Sequence, residues 1–246
     1  MAPAMKAIIL AAGLGSRLLP LTADRPKCLV PAGSRTILEH QLLALRAAGI
    51  DDVTVVGGYR YDRLVEFVDR LDDDLRPKLI FNPFFAVSSS IGSVWAARDL
   101  LDGPFLLLNG DTLYEAAPLR EALSRLPEGI SLFIEPAVEP EADDMRVNAQ
   151  LGKVLEVGKT LDPQRAEYRS LGIVACPDAD GGTYRAALDE VIAAPGGEQR
   201  FHHDVVDLLA RRLRVSAVTL NPGTWQEIDS PADIDRWLAH PDSAAA

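Results

Sequence analysis

Two glycines and two basic residues follow a short apolar run near the start of the chain. The run covers residues 6–10, Gly13 and Gly15 follow it, and Arg17 and Lys27 lie downstream. Glycine can adopt positive φ angles and present successive backbone N–H groups to an anion. A guanidinium group can form paired hydrogen bonds with phosphate oxygens. This order of residues predicts that a nucleoside triphosphate binds at the end of a buried strand.

Two commoner phosphate-binding loops do not fit this segment. The dinucleotide fingerprint needs a third glycine where Leu18 stands. The P-loop needs a Gly-Lys-Ser/Thr sequence, which does not follow here. For the glycines taken alone, an ordinary turn between a strand and a helix stays an open alternative.

Alternating strands and helices are predicted to position the loop. Apolar runs predict strands at 6–10, 53–56, 78–81 and 105–108, and helical periodicity covers 36–48, 61–71 and 91–101. Such alternation is typical of an α/β fold with a parallel sheet, in which ligands bind beyond the carboxyl ends of the strands. The residues expected to bind the nucleotide there are Leu10, Ala11, Ala12, Gly13, Gly15, Ser16, Gly58, Ser89, Ser90 and Asp111.

The second half of the chain is less regular. Strand patterns cover 131–135, 153–157, 172–176 and 215–220, and helical patterns cover 183–193, 203–212 and 231–238. No linker separates two domains. We therefore expect one domain over residues 1–246, with a nucleotide-binding half at 1–115 and an acceptor-binding half at 116–246.

The segment around the glycines resembles a known signature. It reads Gly13-Leu-Gly-Ser-Arg-Leu-Leu-Pro-Leu-Thr22, followed by Arg25-Pro-Lys-Cys-Leu-Val-Pro31. This resembles the nucleotidyltransferases that activate sugar phosphates and related phosphomonoesters. The resemblance implies a Rossmann-like three-layer α/β/α sandwich with a mostly parallel central sheet, of the nucleotide-diphospho-sugar transferase type. It also implies that Arg17 and Lys27 are catalytic and stabilise charge at the reacting phosphorus.

Three acidic residues are candidate metal ligands. Asp111 ends a predicted strand, and Glu227 and Asp229 alternate along an extended segment, so both can face one side. Three carboxylates suit Mg²⁺, although Asp111 could instead cap a turn and the other two could be surface acids. In the cytidylyl-transferring members of the family that the chain resembles, matching acids hold the Mg²⁺ that bridges the triphosphate.

Later segments are similar to one branch of that family. Asn82-Pro-Phe-Phe-Ala-Val-Ser-Ser-Ser-Ile-Gly-Ser-Val-Trp95, Glu156-Val-Gly-Lys159 and Ser170-Leu-Gly-Ile173 look like the phosphocholine, aminoethylphosphonate and inositol-phosphate cytidylyltransferases. The resemblance implies CTP as the nucleotide, with serines at 88–90 where relatives have asparagine. It leaves the acceptor open.

The acceptor-binding residues that we expect are Lys159, Tyr168, Trp225 and Asp204, with Lys159 on the acceptor phosphate. An aromatic cage for a quaternary ammonium could use Trp225, Tyr168 and Phe133, although large aromatic residues more often pack in the core. His203 stands where relatives that handle an amine have an acid. That substitution argues against a cationic acceptor and leaves inositol phosphate or a small phosphonate.

Composition and net charge limit the size of the core, the kinds of partner and the compartment that we expect. The chain has 246 residues, of which 48% are hydrophobic, and a formal net charge of −11, which argues against a nucleic-acid partner. Cys28 and Cys176 are far apart, as in a reducing compartment, and Cys28 is expected to pack rather than react. No signal peptide or membrane span is predicted. We expect a cytoplasmic monomer or homodimer that binds no membrane.

Together these patterns predict a Mg²⁺-dependent nucleotidyltransferase. It would join CTP to a small phosphomonoester or phosphonate and release pyrophosphate. The alternatives are a uridylyl- or guanylyltransferase for a sugar 1-phosphate and a nucleotide-binding module without turnover.

Overall fold

One nine-stranded sheet runs through both halves of the chain in the computed structural model, which describes residues 4–137, 143–178 and 180–239. In chain order the strands are β1 (Lys6–Ala11), β2 (Pro31–Ala32), β3 (Arg35–Thr36), β4 (Val53–Gly57), β5 (Lys78–Phe81), β6 (Phe105–Asn109), β7 (Thr112–Tyr114), β8 (Ile130–Pro136), β9 (Arg146–Gln150), β10 (Lys153–Gly158), β11 (Tyr168–Cys176), β12 (Val215–Thr219) and β13 (Trp225–Glu227). The helices are α1 (Ile37–Ala47), α2 (Tyr61–Val68), α3 (Ser90–Ala96), α4 (Ala116–Ser124), α5 (Gly181–Ala193), α6 (His202–Arg211) and α7 (Pro231–Leu238).

The sheet is parallel in its first part and mixed in its second. The strand order is β5-β4-β1-β6-β11-β8-β12-β10-β9, and the first four strands are mutually parallel. Strand β11 then runs antiparallel to both β6 and β8. The expectation of a mostly parallel sheet therefore holds only for the N-terminal half, because β11 inserts antiparallel between β6 and β8 and a β9–β10 hairpin forms the far edge. The α/β class is confirmed, and the three-layer arrangement stays a prediction.

Register brings the ends of the parallel strands to one edge. In β1, Leu10 pairs with Val56 of β4 and Asn109 of β6, and Gly57 pairs with Phe81 of β5. The loops that follow these four strands therefore leave the sheet side by side. This is the edge where ligands bind in open α/β sheets.

Alternating side chains of β1 enter two apolar clusters. Ile8 packs in one cluster with residues of α3, α5 and α6, and Ile9 packs in another with residues of α1 and α2. Both isoleucines are fully buried, as expected for a central strand covered by helices. Within the residues that the structure describes, no helix is long and apolar enough to cross a membrane.

The far end of the sheet curls back on itself. The first residues of β11 pair with β8 on one side and with β9 on the other, through Tyr168↔Val147 and Arg169↔Arg146. The pairing with β8 shifts register between Ser170 and Val174, where Gly172 has a φ of 70°. Five strands of the second half, β11, β8, β12, β10 and β9, are thereby joined in a ring.

Candidate active site

The glycine loop after β1 has one tightly packed position and one open position. Gly15 has a φ of 64°, and a Cβ there would lie 3.0 Å from Lys27 Cβ and 3.1 Å from Thr22 Cγ2. Thr22 Oγ1 donates a hydrogen bond to the Gly15 carbonyl at 2.9 Å, which holds this turn. A Cβ built on Gly13 would meet no atom within 4 Å. The loop is therefore packed against Lys27 on one side and open on the other.

Asp111 is positioned by a close crossing of two chain segments. A Cβ on Gly110 would lie 2.6 Å from the Leu10 carbonyl oxygen and 2.8 Å from Ala11 Cα, so only glycine fits. The backbone after β6 can therefore pass against the end of β1. This contact brings the Asp111 carboxylate beside the glycine loop.

Glu227 and Asp229 reach Asp111 through a short strand pair. Strand β13 is antiparallel to β7, with Glu227 opposite Thr112, and the Ile228 backbone N–H donates to the Asp111 carbonyl at 2.9 Å. Ile228 is fully buried in an apolar cluster, so the two acids that flank it face the other side. This is the alternation that the sequence predicted.

Lys27 lies between two of the carboxylates. Its Nζ is 2.8 Å from Asp111 Oδ2 and 2.6 Å from Asp229 Oδ1, and its side chain is 13% exposed. Burial opposes the ammonium charge, but the two carboxylates outweigh it and raise the pKa of Lys27. Lys27 therefore stays protonated in this site.

The third carboxylate, Glu227, has no such close partner, and its neutral form is the one favoured. Burial, together with repulsion from Asp111 and Asp229, raises the pKa of Glu227 to about 8. Carboxylate oxygens of Asp111, Glu227 and Asp229 lie within 4.8 Å of one another. Three hard oxygen donors this close, with more negative charge than Lys27 neutralises, fit a divalent cation such as Mg²⁺.

Arg17 and Lys159 share one carboxylate across the cavity. Arg17 Nη2 is 2.9 Å from Asp229 Oδ1, and Arg17 Nη1 pairs with Asp143. Lys159, directly after β10, pairs with the other oxygen of Asp143. The hydrogen bond from Lys159, aided by both positive charges, lowers the pKa of Asp143. A single acid thus links the basic residue of the loop to the second half of the chain.

Two buried histidines at the start of α6 form another wall. The ring centroids of His202 and His203 lie 4.0 Å apart. Ser90 Oγ lies 3.1 Å from His202 Nδ1, and Ser170 Oγ lies 2.9 Å from His203 Nε2. Burial lowers the pKa of His202 to about 4 and holds that of His203 well below its usual value. Both rings are therefore neutral near pH 7.

These groups surround one cavity of about 430 Å³. Most residues expected from the sequence line it, namely Leu10, Ala11, Ala12, Gly13, Gly15, Ser16, Arg17, Lys27, Ser89, Ser90, Asp111, Lys159, Glu227 and Asp229. Cys28 also reaches the lining, but burial raises the pKa of its thiol to about 12, which suits a packing residue. The backbone of the glycine loop, basic side chains and carboxylates therefore meet in one cavity.

Comparison with known proteins agrees with this arrangement. A family model described as "Nucleotidyl transferase" matches residues 6–139, which is more than half of the chain. The chain belongs to the nucleotidyl transferase family. The matched stretch contains the glycine loop, Lys27 and Asp111, and the candidate active site of this nucleotidyl transferase is completed by residues beyond it.

Relatives within the family include cytidylyltransferases. CTP:phosphoglutamine cytidylyltransferase of Campylobacter jejuni is 38% identical over 97 residues, covering 39% of this chain and 37% of the relative. CMP-5′-(3-aminopropyl)phosphonate synthase of Streptomyces rubellomurinus is 29% identical over 238 residues, covering 93% of this chain and 37% of the relative. The matches thus span well under half of the length of either curated relative.

The fold of this nucleotidyl transferase also matches a solved structure. The CTP:phosphocholine cytidylyltransferase of Streptococcus pneumoniae superposes with a TM-score of 0.79 at 22% identity, covering 95% of this chain and 97% of the other. At this identity the likeness concerns the fold.

Five candidate residues are not among the described residues that line the cavity. Trp225 is buried and donates its Nε1–H to Glu135 at 2.8 Å, and Phe133 is fully buried in the core. Asp204 accepts from the Phe201 backbone N–H at 2.8 Å and so caps α6. Gly58 lies behind Phe85, which a Cβ would meet at 2.4 Å. Tyr168 begins β11, away from the cavity.

Several lining residues were not anticipated. Asp143, Asp144 and Met145 precede β9, a strand that the sequence did not predict, so no pattern marked them. Asn109 and Gly172 also line the cavity, and a Cβ on Gly172 would lie 2.3 Å from Asn109 Nδ2. The position of Asn109 at the end of a predicted buried strand could have indicated that it lines the cavity.

Proposed function

We propose that the protein is a Mg²⁺-dependent cytidylyltransferase that joins CTP to a small phosphomonoester or phosphonate and releases pyrophosphate. The observation that carries the proposal is the meeting of the glycine loop, Arg17, Lys27 and three carboxylates in one cavity. The choice of CTP is supported by relatives whose names include CTP or CMP.

The nucleotide would lie against the loop after β1. Ala11 and Ala12 offer a nearly flat surface for the base or ribose, and the backbone N–H groups of residues 13–16 would hold the triphosphate. Arg17 and Lys27 would stabilise the charge that develops around the α-phosphorus. Cationic groups placed in this way commonly contribute about 10²–10³ in rate.

The transfer needs positioning more than covalent help from the protein. An ionised oxygen of the acceptor phosphate or phosphonate attacks the α-phosphorus of CTP in line and forms a new P–O bond. The bond from the α-phosphorus to the bridging oxygen breaks, and pyrophosphate leaves with that electron pair. The acceptor oxygen is already deprotonated at neutral pH, so the site needs no general base.

The carboxylate cluster would hold the metal. Asp111, Glu227 and Asp229 would bind Mg²⁺, which neutralises triphosphate charge when it is bound. The raised pKa of Glu227 fits this role, because three acids with one close ammonium group hold excess negative charge. Lys159, on the far side of Asp143, would contact the acceptor phosphate.

A pyrophosphate-release assay with crossed substrates tests the proposal. CTP, UTP, GTP and ATP would each be offered with phosphocholine, aminoethylphosphonate, inositol 1-phosphate and glucose 1-phosphate, with and without Mg²⁺. We expect release with CTP and a non-hexose acceptor only when Mg²⁺ is present. Release with UTP or GTP and the hexose phosphate would indicate a sugar-phosphate enzyme. Tight CTP binding in calorimetry without turnover would indicate a binding module.

A further inference from the structure

If the protein transfers a nucleotide to a small phosphate, as proposed above, the wall beyond Lys159 contacts the rest of the acceptor. That wall contains His202, His203, Ser90 and Ser170, all of which line the cavity. The histidines are 1% and 5% exposed. The chemistry of these four side chains therefore determines which acceptor group can bind there.

The wall carries no charge of its own near neutral pH. Burial keeps both imidazoles unprotonated, since it lowers the pKa of His202 to about 4 and holds that of His203 well below its usual value. Both residues lie in the first turn of α6, where the partial positive charge of a helix N-terminus disfavours a cation. An ammonium group would therefore lose its hydration at this wall without gaining an opposite charge.

His202 has an unused hydrogen-bonding nitrogen. Ser90 Oγ accepts the His202 backbone N–H at 3.0 Å and can donate its own hydrogen to Nδ1 at 3.1 Å. In the tautomer in which Ser90 donates, the ring hydrogen lies on Nε2. Nε2 is buried and has no hydrogen-bond partner among the residues that the structure describes. A buried N–H without a partner favours a ligand oxygen.

The aromatic rings near this wall already carry cations of the chain. Lys159 Nζ lies 5.0 Å from the Phe201 ring centroid, and Arg169 Cζ lies 5.0 Å from that of Trp225. Trp225 is also mostly buried, so its ring offers no second open face. A quaternary ammonium needs several free aromatic faces, and this wall does not supply them.

The nearby carboxylates are engaged as well. Asp143 pairs with Arg17 and Lys159, and Asp144 pairs with Arg169 at 3.3 Å. Arg169 also pairs with Glu135 at 2.6 Å. An amine on the acceptor would have to displace one of these internal cations to gain a salt bridge.

We propose that the acceptor carries a hydroxyl group, rather than an amine or a quaternary ammonium, at the end away from its phosphate or phosphonate. The hydroxyl oxygen would accept the His202 Nε2–H after a small movement of the ring, since Nε2 is not accessible from the cavity in this structure. A neutral hydroxyl needs no counter-charge, and it fits a wall made of imidazoles and serine hydroxyls. Small hydroxyalkyl phosphonates and polyol phosphates belong to this class.

A matched pair of ligands tests this directly. Calorimetry would compare 2-hydroxyethylphosphonate with 2-aminoethylphosphonate, which have the same length, on the protein saturated with Mg²⁺ and α,β-methylene-CTP. We expect the hydroxyl compound to bind about tenfold tighter or more. Equal or tighter binding of the amine, or no binding of either compound, would overturn the proposal. Because no turnover is needed, binding of the hydroxyl compound without pyrophosphate release in the separate assay would contradict only the proposed function.

Two variants of one residue make the test sharper. His203→Glu adds a carboxylate without a cation partner and should reverse the preference towards the amine. His203→Gln keeps an uncharged hydrogen-bonding group. It should weaken the binding of both ligands by the same factor, which preserves the ratio of their dissociation constants. Circular dichroism would check folding, and if His203→Glu does not fold, the wild-type and His203→Gln ratios still decide. An unchanged ratio in folded His203→Glu would overturn the proposal.

Discussion

Lys27 Nζ lies 2.6 Å from Asp229 Oδ1, although the two residues are 202 positions apart in the chain. The contact joins the loop after β1 to the segment after β13. Asp111, from the end of β6, completes the contact on the other side of the ammonium group. One buried positive charge therefore joins three distant parts of the sequence.

Removal of that charge should affect both folding and activity. In Lys27→Ala the clustered acids lose the nearer of two close cations and keep Arg17, so we expect the free energy of unfolding to fall by about 3 kcal/mol without metal. Added Mg²⁺ should restore part of this loss, because a divalent cation can neutralise the same acids. Pyrophosphate release should fall by about 10²–10³. Denaturant unfolding with and without Mg²⁺, together with the release assay, would measure both effects.

Lys78→Ala is the matched control for that experiment. Lys78 pairs with Asp52, but its side chain is 71% exposed, so its loss should change stability by less than about 1 kcal/mol. Its activity should equal that of the wild type. Wild-type activity in folded Lys27→Ala would contradict the role given to Lys27.

Alanine at two neighbouring glycines should separate folding from nucleotide binding. Gly13→Ala has open space around its new Cβ and no unusual φ, so thermal stability should stay close to wild type. If the triphosphate lies against this backbone, the added methyl group should still weaken CTP binding by about tenfold or more. Calorimetry with CTP would measure this loss, and unchanged affinity would mean that the nucleotide binds elsewhere.

Gly15→Ala should instead lower both stability and affinity. It forces a left-handed φ of 64° on a residue with a side chain, and its Cβ would press on Lys27 and Thr22. We expect a loss of about 1–3 kcal/mol. A melting temperature equal to that of Gly13→Ala would contradict this account of the loop.

Glu227→Gln should stabilise the metal-free protein at alkaline pH. The pKa of Glu227 is about 8 in the folded protein against an ordinary 4.5. Folding therefore opposes the ionisation of this carboxyl group, and the free energy of unfolding falls progressively as the pH rises from about 4.5 to about 8. The neutral amide avoids this loss. Each kcal/mol recovered should raise the melting temperature by about 2–4 °C in a chain of this size. Thermal melts in EDTA at pH 5 and pH 8 should show a much larger gain at pH 8 than at pH 5.

The same variant should lose its response to the metal. Mg²⁺ should raise the melting temperature of the wild type, since a ligand that binds only the folded state stabilises it. Glu227→Gln removes one of three carboxylates and should reduce that rise. An equal rise in both proteins would place the metal away from Glu227.

Lys159→Met should affect the acceptor more than the nucleotide. Its ammonium group pairs with Asp143 on the acceptor side, and methionine keeps the apolar stem beside Phe201. We expect KM for the acceptor to rise at least about tenfold while KM for CTP stays within about twofold. Lys153→Met is the control, because Lys153 bonds only Ser216 among the partners that the structure describes. Steady-state kinetics with each substrate varied in turn would decide, and equal effects on both KM values would contradict the assignment.

The geometry of the proposed nucleotide side could be predicted from local sequence because its elements are local. Strand β1, the glycines and Arg17 are consecutive, and the apolar run of β6 leads directly into Asp111. Helix α1 begins where expected, since Thr36 and Glu39 form a capping box. Patterns within ten or so residues were enough for these features.

The acceptor side followed less well because long-range pairing determines it. Strand β9 has mixed polarity and is held by β10 and β11, so its own residues do not reveal it. The predicted role of Trp225 as an acceptor contact rested on residue type, whereas the structure uses its indole to bind Glu135 and Arg169. The pairing of Asp143 with both Arg17 and Lys159 depends on tertiary structure that no sequence spacing encodes.

Strand β11 joins the two parts of the sheet, the parallel strands of the first half and the ring of strands in the second half. Residues from Ile173 onwards pair with β6 of the N-terminal half, and Tyr168 and Arg169 pair with β8 and β9 of the ring. Between them, Gly172 presses against Asn109, two positions before Asp111. Substitutions in this strand would therefore be expected to weaken binding of both proposed substrates. We expect substitutions that change the acceptor to occur instead in α6 and in the segment before β9. The sequence of both can vary while the residues around the glycine loop stay the same.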